Sequence, residues 1–197
     1  MSDEPIPVRV VLFEIDARPG VDGVRDRSAA ARIAARLEVA SYLDVDVDEV
    51  VIGAERDGRP TVAGAALSLA HSGDLVAVAI APEGRWVGVD VEVVRPRLHV
   101  ERIARRMFEA HELPAWAALD DDARLHAFLQ RWTEVEAILK AKGTGVAGGF
   151  ASAVPTPRGW TCAAIDAGSG FVGAVAIDAA PVDLGFARGR LSGFYKS

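Results

Sequence analysis

The first half of the chain alternates hydrophobic and polar positions in short runs that predict β-strands. Residues 8–15 form one β-branched run, and such runs are typical of strands. Three more strands are predicted at residues 61–69, 75–81 and 86–93, separated by short turns rich in Gly, Asp, Ser and Pro. Because turns of this length and composition join antiparallel neighbours, the sequence predicts a meander of these three strands.

Two other stretches show the spacing of three and four residues that is typical of an amphipathic helix. The first runs from residue 28 to about residue 42, with Ser28 as its expected N-cap. The second follows Asp120, another expected N-cap, and ends at Gly143. Its apolar stripe consists of Leu125, Phe128, Trp132, Val135 and Leu139. We expect both helices to bury one face.

The second half of the chain is predicted to contain further short elements. They are a helix at residues 100 to about 110 and strands at residues 150–154, 160–165, 171–177 and 184–187. Each half then offers a helix and a small, mainly antiparallel sheet, so the predicted fold class is α+β. The break at Arg95-Pro96-Arg97 divides the chain into an N-terminal half, residues 1–96, and a C-terminal half, residues 97–197.

Composition and charge exclude several classes of protein. The chain has 197 residues, half of them hydrophobic, which is enough to bury a core. Its formal net charge of −6 is spread along the chain without a basic stripe, which disfavours nucleic-acid binding. The single cysteine, Cys162, excludes a disulfide framework and a thiolate metal cluster. With neither a signal-peptide pattern nor a membrane-length apolar run, we expect a cytoplasmic protein without a membrane partner.

Two carboxylates share one face of the strand predicted at residues 86–93. Its valines occupy alternate positions, so Asp90 and Glu92 lie together on the opposite face. Oxygen ligands of this kind suit Mg²⁺, which often completes its coordination with water and a substrate phosphate. The same spacing also fits the polar face of a half-exposed strand, so both interpretations stay open.

A third carboxylate lies on the helix that ends at Gly143. At about 100° per residue, Glu136 falls on the border of the apolar stripe, whereas Glu134 points to the opposite, solvated side. Lys140 follows Glu136 by one turn, in the order that favours an ion pair. The pair fits either an ordinary surface ion pair or a functional site.

Two basic residues are candidates for binding an anion. Arg36 lies near the apolar border of the first helix, and its guanidinium group suits phosphate. His71 stands at a strand end beside a polar turn, where it could donate to a phosphate. Helix arginines and turn histidines more often have no such role, so neither residue is decisive alone.

Five short motifs carry the resemblance to a known family. They are Gly58-Arg59-Pro60, Ser68-Leu69-Ala70-His71-Ser72-Gly73, Gly88-Val89-Asp90-Val91-Glu92, Phe108-x3-Glu112 and Trp132-Thr133-x2-Glu136-Ala137-x2-Lys140-Ala141-x-Gly143. In this order and spacing, over roughly residues 28 to 146, the chain resembles the surfactin-type 4′-phosphopantetheinyl transferases. It departs from the family pattern at Ala70, often a serine, and at Val135, usually a lysine.

The resemblance implies transfer of the phosphopantetheine arm of coenzyme A to a serine of an apo acyl or peptidyl carrier protein. The implied cofactor is Mg²⁺, with Mn²⁺ as an alternative, and the second product is 3′,5′-adenosine bisphosphate. The implied fold consists of two similar halves related by a pseudo-twofold axis, with the active site between them. Because one chain supplies both halves, we expect a monomer.

The resemblance also implies roles for particular residues. Asp90, Glu92 and Glu136 match the acidic residues around the metal, and Asp90, Glu136 and Lys140 carry the chemistry. The residues that match coenzyme A contacts are His71 and Lys140 at the phosphates, Arg36 at the 3′-phosphate and Arg59 at the nucleotide. Glu136 at the apolar border is the expected general base, because desolvation raises the basicity of a carboxylate.

Two other classes of function use the same residues. One is another metal-dependent enzyme of phosphoryl transfer or phosphodiester cleavage, which would not need coenzyme A. The other is a non-catalytic module that binds coenzyme A or a carrier protein.

Overall fold

The computed structural model describes residues 4–16, 23–97, 99–144 and 154–191, which form a mixture of helices and strands. In chain order these are β1 (Ile6–Ile15), α1 (Gly23–Leu43), β2 (Gly53–Ala54), β3 (Pro60–Thr61), β4 (Ala65–Ser72), β5 (Leu75–Pro82), β6 (Val87–Val93), α2 (Val100–Met107), α3 (Leu113–Ala117), α4 (Asp121–Lys142), β7 (Thr161–Ile165), β8 (Phe171–Ile177) and β9 (Val182–Leu191). The predicted α+β class is confirmed.

Two sheets organise the molecule. The first has the strand order β4-β5-β1-β9, in which β1 runs antiparallel to β5 and parallel to β9. The second has the order β6-β8-β7 and is antiparallel throughout. The predicted meander is therefore wrong in its third strand, because β6 pairs with β8 and not with β5. Both faces of β6 are covered, the valine face by the first sheet and the other face by α4.

The C-terminal strand is longer than the sequence predicted. It extends from Val182 to Leu191, and it lies at the edge of the first sheet, beside β1. The first sheet thus takes β9 from the C-terminal half of the chain, and the second takes β6 from the N-terminal half. The division at residues 96 and 97 remains a prediction, and one strand crosses it in each direction.

The elements stack in the order α1, first sheet, second sheet, α4. One core cluster joins α1 to the first sheet through residues such as Ala34 and Val78. A second joins the two sheets and includes Val10 and Val89, and a third joins α4 to β8. Alternate residues of β1 and β5 point to α1 and to the second sheet, so both faces of these strands are apolar.

The helix ends test the capping predictions. Asp120 is the N-cap of α4, where its side chain accepts a hydrogen bond from the Ala123 amide, and Gly143 ends the helix with φ +68°. Both predictions are confirmed. The prediction for Ser28 is wrong, because α1 begins at Gly23 and places Ser28 inside the helix. Residues 23–28 contain no proline, so the helix can extend on the N-terminal side of Ser28 as far as Gly23.

The remaining element predictions have mixed outcomes. Strands β7 and β8 are confirmed, and α2 ends at Met107, before the expected residue 110. The strand predicted at residues 150–154 lies outside the described residues, apart from Val154, which is not in a strand. No helix in the described part of the chain combines the length and hydropathy needed to cross a membrane.

Candidate active site

The site forms where α4 lies directly on β6. A Cβ atom added at Gly88 would lie 1.9 Å from the Ala137 carbonyl oxygen and 2.7 Å from the Ala141 amide nitrogen. Only glycine lets the helix backbone approach the strand this closely. The contact brings the acidic face of β6 against the residues of α4 that follow Thr133.

Lys140 crosses from α4 to the two neighbouring strands. Its Nζ donates to Oδ1 of Asp90 at 2.8 Å, to the Val89 carbonyl at 3.0 Å and to the Leu69 carbonyl at 3.4 Å. The predicted ion pair with Glu136 is therefore wrong, since among the described residues the carboxylate that pairs with Lys140 is Asp90. The two strands together offer three acceptors to the ammonium group, and the contact with the Leu69 carbonyl of β4 is the longest of them.

Glu136 is a buried carboxylate, only 5% exposed. Its Oε1 atom is buried and has no hydrogen-bond partner among the described residues. Burial, together with the charges of Asp90 and Glu92 and against that of Lys140, raises the pKa of Glu136 to about 7. A carboxyl group with this pKa can exchange its proton near neutral pH.

The neighbouring glutamate lies on a different side of α4 from Glu136, as predicted, but that side is partly buried and not solvated. Glu134 lies on another flank of α4, where it pairs with Arg131 at 3.4 Å and accepts from Gln130 at 3.5 Å. The side chain of Glu134 is 30% exposed to solvent. The two glutamates therefore occupy different environments on one helix.

Asp90 is the second buried carboxylate of the site. Burial raises its pKa, while the charge and the hydrogen bond of Lys140 lower it. Lys140 occupies Oδ1, but Oδ2 is buried without a partner among the described residues. Asp90 and Glu136 thus each carry one buried carboxylate oxygen that no described residue satisfies.

Glu92 belongs to a different hydrogen-bond group. Its Oε2 accepts from the Ser72 hydroxyl at 2.8 Å and from Nη2 of Arg97. The Ser72 hydroxyl also accepts from the Val93 amide at 3.1 Å, so it joins β4 to β6. The sequence analysis missed Ser72 and Arg97 as site residues. The alternate serines of β4 could have signalled Ser72, since Ser68 makes the equivalent contact with the Val89 amide.

His71 lies at the end of β4, beside the N-terminal part of α1. Its Nε2 is 3.4 Å from the Ser28 hydroxyl oxygen. Burial lowers the pKa of His71, as do the charges of Lys140 and Arg27, whereas Glu92 raises it. The imidazole is therefore neutral near pH 7 and offers one N–H donor.

Arg59 borders a cavity beside Lys140. The lining of the cavity includes Asp57, Ser68 and Gly143. Arg59 pairs with Glu55 at 2.7 Å and lies 4.0 Å from Asp57. The cavity thus has two cationic groups on its wall, the guanidinium of Arg59 and the ammonium of Lys140.

Arg36 is the predicted site residue that the structure does not bring to this group. Its Nη2 donates to the Val47 carbonyl at 2.7 Å and lies 3.7 Å from Asp48. Both partners belong to the 3-10 turn at Val47–Glu49, so these contacts fasten that turn to α1.

The carboxylates fit a divalent cation in part. Asp90 and Glu136 offer unpartnered oxygens of the kind that Mg²⁺ prefers. Glu92 instead faces Ser72 and Arg97, and the described residues hold no assembled group of three or more His, Cys, Asp or Glu side chains. Two protein ligands agree with the usual Mg²⁺ coordination, in which water and substrate phosphates complete the shell.

Comparison with known proteins shows which family the chain is similar to. The model of the 4′-phosphopantetheinyl transferase superfamily matches residues 86–171, which contain β6 and α4. The chain is 31% identical over 145 residues to the 4′-phosphopantetheinyl transferase AcpT of Escherichia coli (strain K12), covering 68% of this chain and 73% of AcpT.

Two cyanobacterial proteins are also similar. The putative 4′-phosphopantetheinyl transferase slr0495 of Synechocystis sp. is 29% identical, over 66% of this chain and 55% of that protein. The 4′-phosphopantetheinyl transferase HetI of Nostoc sp. is 33% identical, over 62% of this chain and 54% of that protein. The chain spans about half the length of these two relatives.

Proposed function

The chain belongs to the 4′-phosphopantetheinyl transferase superfamily, and from this premise we propose that it transfers phosphopantetheine from coenzyme A to a serine of an apo acyl or peptidyl carrier protein. The observation that supports this most is the meeting of Asp90, Glu136 and Lys140 where α4 lies on β6. The ordered motifs favour the surfactin-type branch. The helix-on-sheet arrangement repeated in each half agrees with two similar halves.

The proposed reaction is a single displacement at phosphorus. The serine oxygen attacks the phosphorus that carries pantetheine, and the phosphoanhydride bond to the adenosine side breaks. The serine proton goes to a base, and the electron pair of the broken bond stays on 3′,5′-adenosine bisphosphate. The site must therefore bind anions, hold a proton acceptor and offset the charge that develops on the leaving group.

Glu136 is the proposed proton acceptor. Its buried carboxylate has a pKa of about 7 in the metal-free protein, and a bound cation would hold it in the ionised form that accepts the serine proton. Lys140 is held beside the acidic centre by Asp90 and two carbonyls, and it would donate to the phosphate oxygens or to the leaving group by giving up its longest contact, the one with the Leu69 carbonyl. Asp90 acts by fixing this ammonium and by binding the cation.

Asp90 and Glu136 would hold Mg²⁺, or Mn²⁺ in its place. Glu92 would be the third acidic residue at the ion, and to reach it the carboxylate would have to break its ion pair with Arg97. The ion, when bound, neutralises charge on the pyrophosphate. Arg59 and Lys140 on the cavity wall bind the nucleotide and phosphate parts of coenzyme A, together with His71. We also propose that Arg36 binds the 3′-phosphate. To do so, its guanidinium group would have to break its hydrogen bond to the Val47 carbonyl.

The test measures coenzyme A binding by isothermal titration calorimetry with and without Mg²⁺, and the mass of apo carrier proteins after incubation with both. We expect metal-dependent binding and a mass gain of one phosphopantetheine on at least one carrier. Binding without transfer across a broad carrier panel would indicate a binding module. Absence of coenzyme A binding would indicate a different phosphoryl-transfer enzyme. The monomeric state, checked by light scattering, and the cytoplasmic location remain predictions.

A further inference from the structure

Glu92 is held by two donors that come from different parts of the chain. Its Oε2 atom accepts from the Ser72 hydroxyl of β4 at 2.8 Å and forms an ion pair with Nη2 of Arg97. The side chain of Glu92 is 17% exposed and that of Arg97 is 25% exposed, so water screens the pair less than it screens a surface pair. The carboxylate of Glu92 is therefore bound to Arg97 in the free protein.

The same carboxylate lies within electrostatic reach of the other two acidic residues of the site. Its negative charge raises the pKa of Asp90 and that of Glu136. Each of those residues has a buried oxygen without a partner among the described residues, whereas Oε2 of Glu92 has two donors. The described part of the chain thus brings two carboxylates to the centre and turns the third toward an arginine, whose positive charge offsets it.

Arg97 can release Glu92 without a change of secondary structure. It follows the last residue of β6 by four positions, and residues 94–97 belong to neither a helix nor a strand. Its Nε atom is buried and has no hydrogen-bond partner among the described residues. Ser72 belongs to β4, and its hydroxyl also accepts from the Val93 amide. Glu92 can therefore exchange one of its two partners while the other stays in place.

We propose that Arg97 is a positioning residue that holds Glu92 in the cation-free enzyme and competes with the divalent cation for this carboxylate. The inference rests on the proposed function only in taking Asp90 and Glu136 as ligands of that cation. Glu92 becomes the third ligand after its ion pair with Arg97 breaks, so the free energy of breaking the pair is subtracted from that of cation binding. Arg97 thus raises the concentration of the cation at which the site fills.

The test measures Mn²⁺ binding to the metal-free protein, without coenzyme A, by electron paramagnetic resonance of the free ion. Arg97→Gln removes the guanidinium group and should bind Mn²⁺ about tenfold more tightly than the wild type, the size of one hydrogen bond to a charged group. Arg95→Gln is the matched control, because it makes the same change two residues earlier on an exposed side chain. It should stay within about twofold of the wild type at about 0.15 M salt.

Two further variants show whether the competition is for Glu92. Glu92→Gln removes the contested carboxylate, so adding Arg97→Gln to it should change the Mn²⁺ affinity by less than about twofold. Arg97→Lys keeps a positive charge at this position and should bind Mn²⁺ less tightly than Arg97→Gln does. A damaged fold would weaken binding, so a gain in affinity cannot come from loss of structure.

The proposal and the proposed function fail on different results. Mn²⁺ affinity of Arg97→Gln equal to or below that of the wild type would overturn the proposal. An equal gain in Arg95→Gln, or an undiminished gain in the Glu92→Gln background, would also overturn it, because either would trace the effect to net charge. The expected Mn²⁺ affinities without any gain of mass on carrier proteins would support the competition and overturn the proposed function.

Discussion

Helices α1 and α4 both cover one face of a sheet, but they bury different chemistry. The buried face of α1 consists of small apolar residues, among them Ala30, Ala34 and Val39. The buried face of α4 includes Glu136, which lies close to Asp90 of β6. All four buried polar residues of the described chain belong to β4, β6 or α4, and they are Ser68, Asp90, Thr133 and Glu136.

Packing of apolar side chains accounts for the α1 interface but not for the whole of the α4 interface. The α1 interface is stabilised by burial of apolar surface, as in any helix that covers a sheet. The α4 interface keeps two carboxylate oxygens without partners, and an unsatisfied buried polar atom costs about 1–3 kcal/mol. Atoms of α1, Arg36 Nε and Glu38 Oε2, are also buried without a hydrogen-bond partner, but Glu38 Oε2 is ion-paired with Arg9, whereas the oxygens of Asp90 and Glu136 belong to two carboxylates that face each other. This grouping of buried carboxylates makes the α4 interface the candidate for function. We therefore expect changes at the α4 interface to affect function and those at the α1 interface to affect stability alone.

The largest effect is expected at Lys140. Lys140→Met keeps the length of the side chain but removes the charge that pairs with Asp90 and faces the substrate phosphates. We expect the rate of carrier loading, measured by mass spectrometry, to fall by about a hundredfold or more. Lys142→Met, two residues on, removes a charge that lies over the Trp160 ring and should change the rate less than about threefold. Equal losses would show that the ion pair with Asp90 has no special role.

The next effect is a pH dependence of stability in metal-free protein. The pKa of Glu136 rises on folding from 4.5 to about 7, so the folded state holds a proton that the unfolded state releases. Its contribution is most favourable below pH 4.5 and is lost as the pH rises to about 7, by roughly 3 kcal/mol. Urea unfolding at pH 5 and pH 8 with a chelator should show this decline in the wild type. In Glu136→Gln the decline should be smaller, and an equal decline would contradict the assignment.

A smaller effect is expected where α4 touches β6. Gly88→Ala puts a methyl group into the backbone of α4, so helix and strand must separate. We expect the free energy of unfolding to fall by about 1–3 kcal/mol, with loss of carrier loading. Gly185→Ala is the control, because its added methyl group would meet nothing closer than the Val8 carbonyl oxygen at 3.9 Å. If both variants unfold alike, the close contact is not the reason for glycine at position 88.

The smallest effect concerns α1. Ala34→Gly adds backbone freedom in the middle of the helix, and we expect the free energy of unfolding to fall by about 1 kcal/mol. Carrier loading at a temperature well below unfolding should stay at the wild-type rate. A marked loss of loading would show that α1 does more than pack, and would weaken the contrast with α4.

The residues of the site could be predicted where local periodicity decides their orientation. Alternation along β6 placed Asp90 and Glu92 on one face, and the helical phase separated Glu136 from Glu134. Both rules depend on neighbours in the sequence alone. The fold class followed for the same reason, because strands and helices differ in period.

What could not be predicted depends on contacts between distant parts of the chain. A short turn before β6 favours a hairpin, yet β6 pairs with β8 because both of its faces can be covered there. Residues one helical turn apart often form ion pairs, so the sequence predicted that Lys140 pairs with Glu136. In the structure Lys140 pairs with Asp90 instead, because the close contact at Gly88 brings β6 against α4. Ser28 looked like a helix cap, and only the tertiary structure places it beside His71.

The central claim is that Glu136 takes part in phosphopantetheine transfer, and one pair of variants tests it most directly. Glu136→Gln and Glu134→Gln make the same chemical change two residues apart, one at the buried centre and one beside Arg131. The measurement is the rate at which each variant loads an apo carrier at saturating Mg²⁺ and coenzyme A. We predict that Glu136→Gln loses about 10²–10⁴ in rate, while Glu134→Gln stays close to the wild type. Similar rates for the two variants would contradict the account.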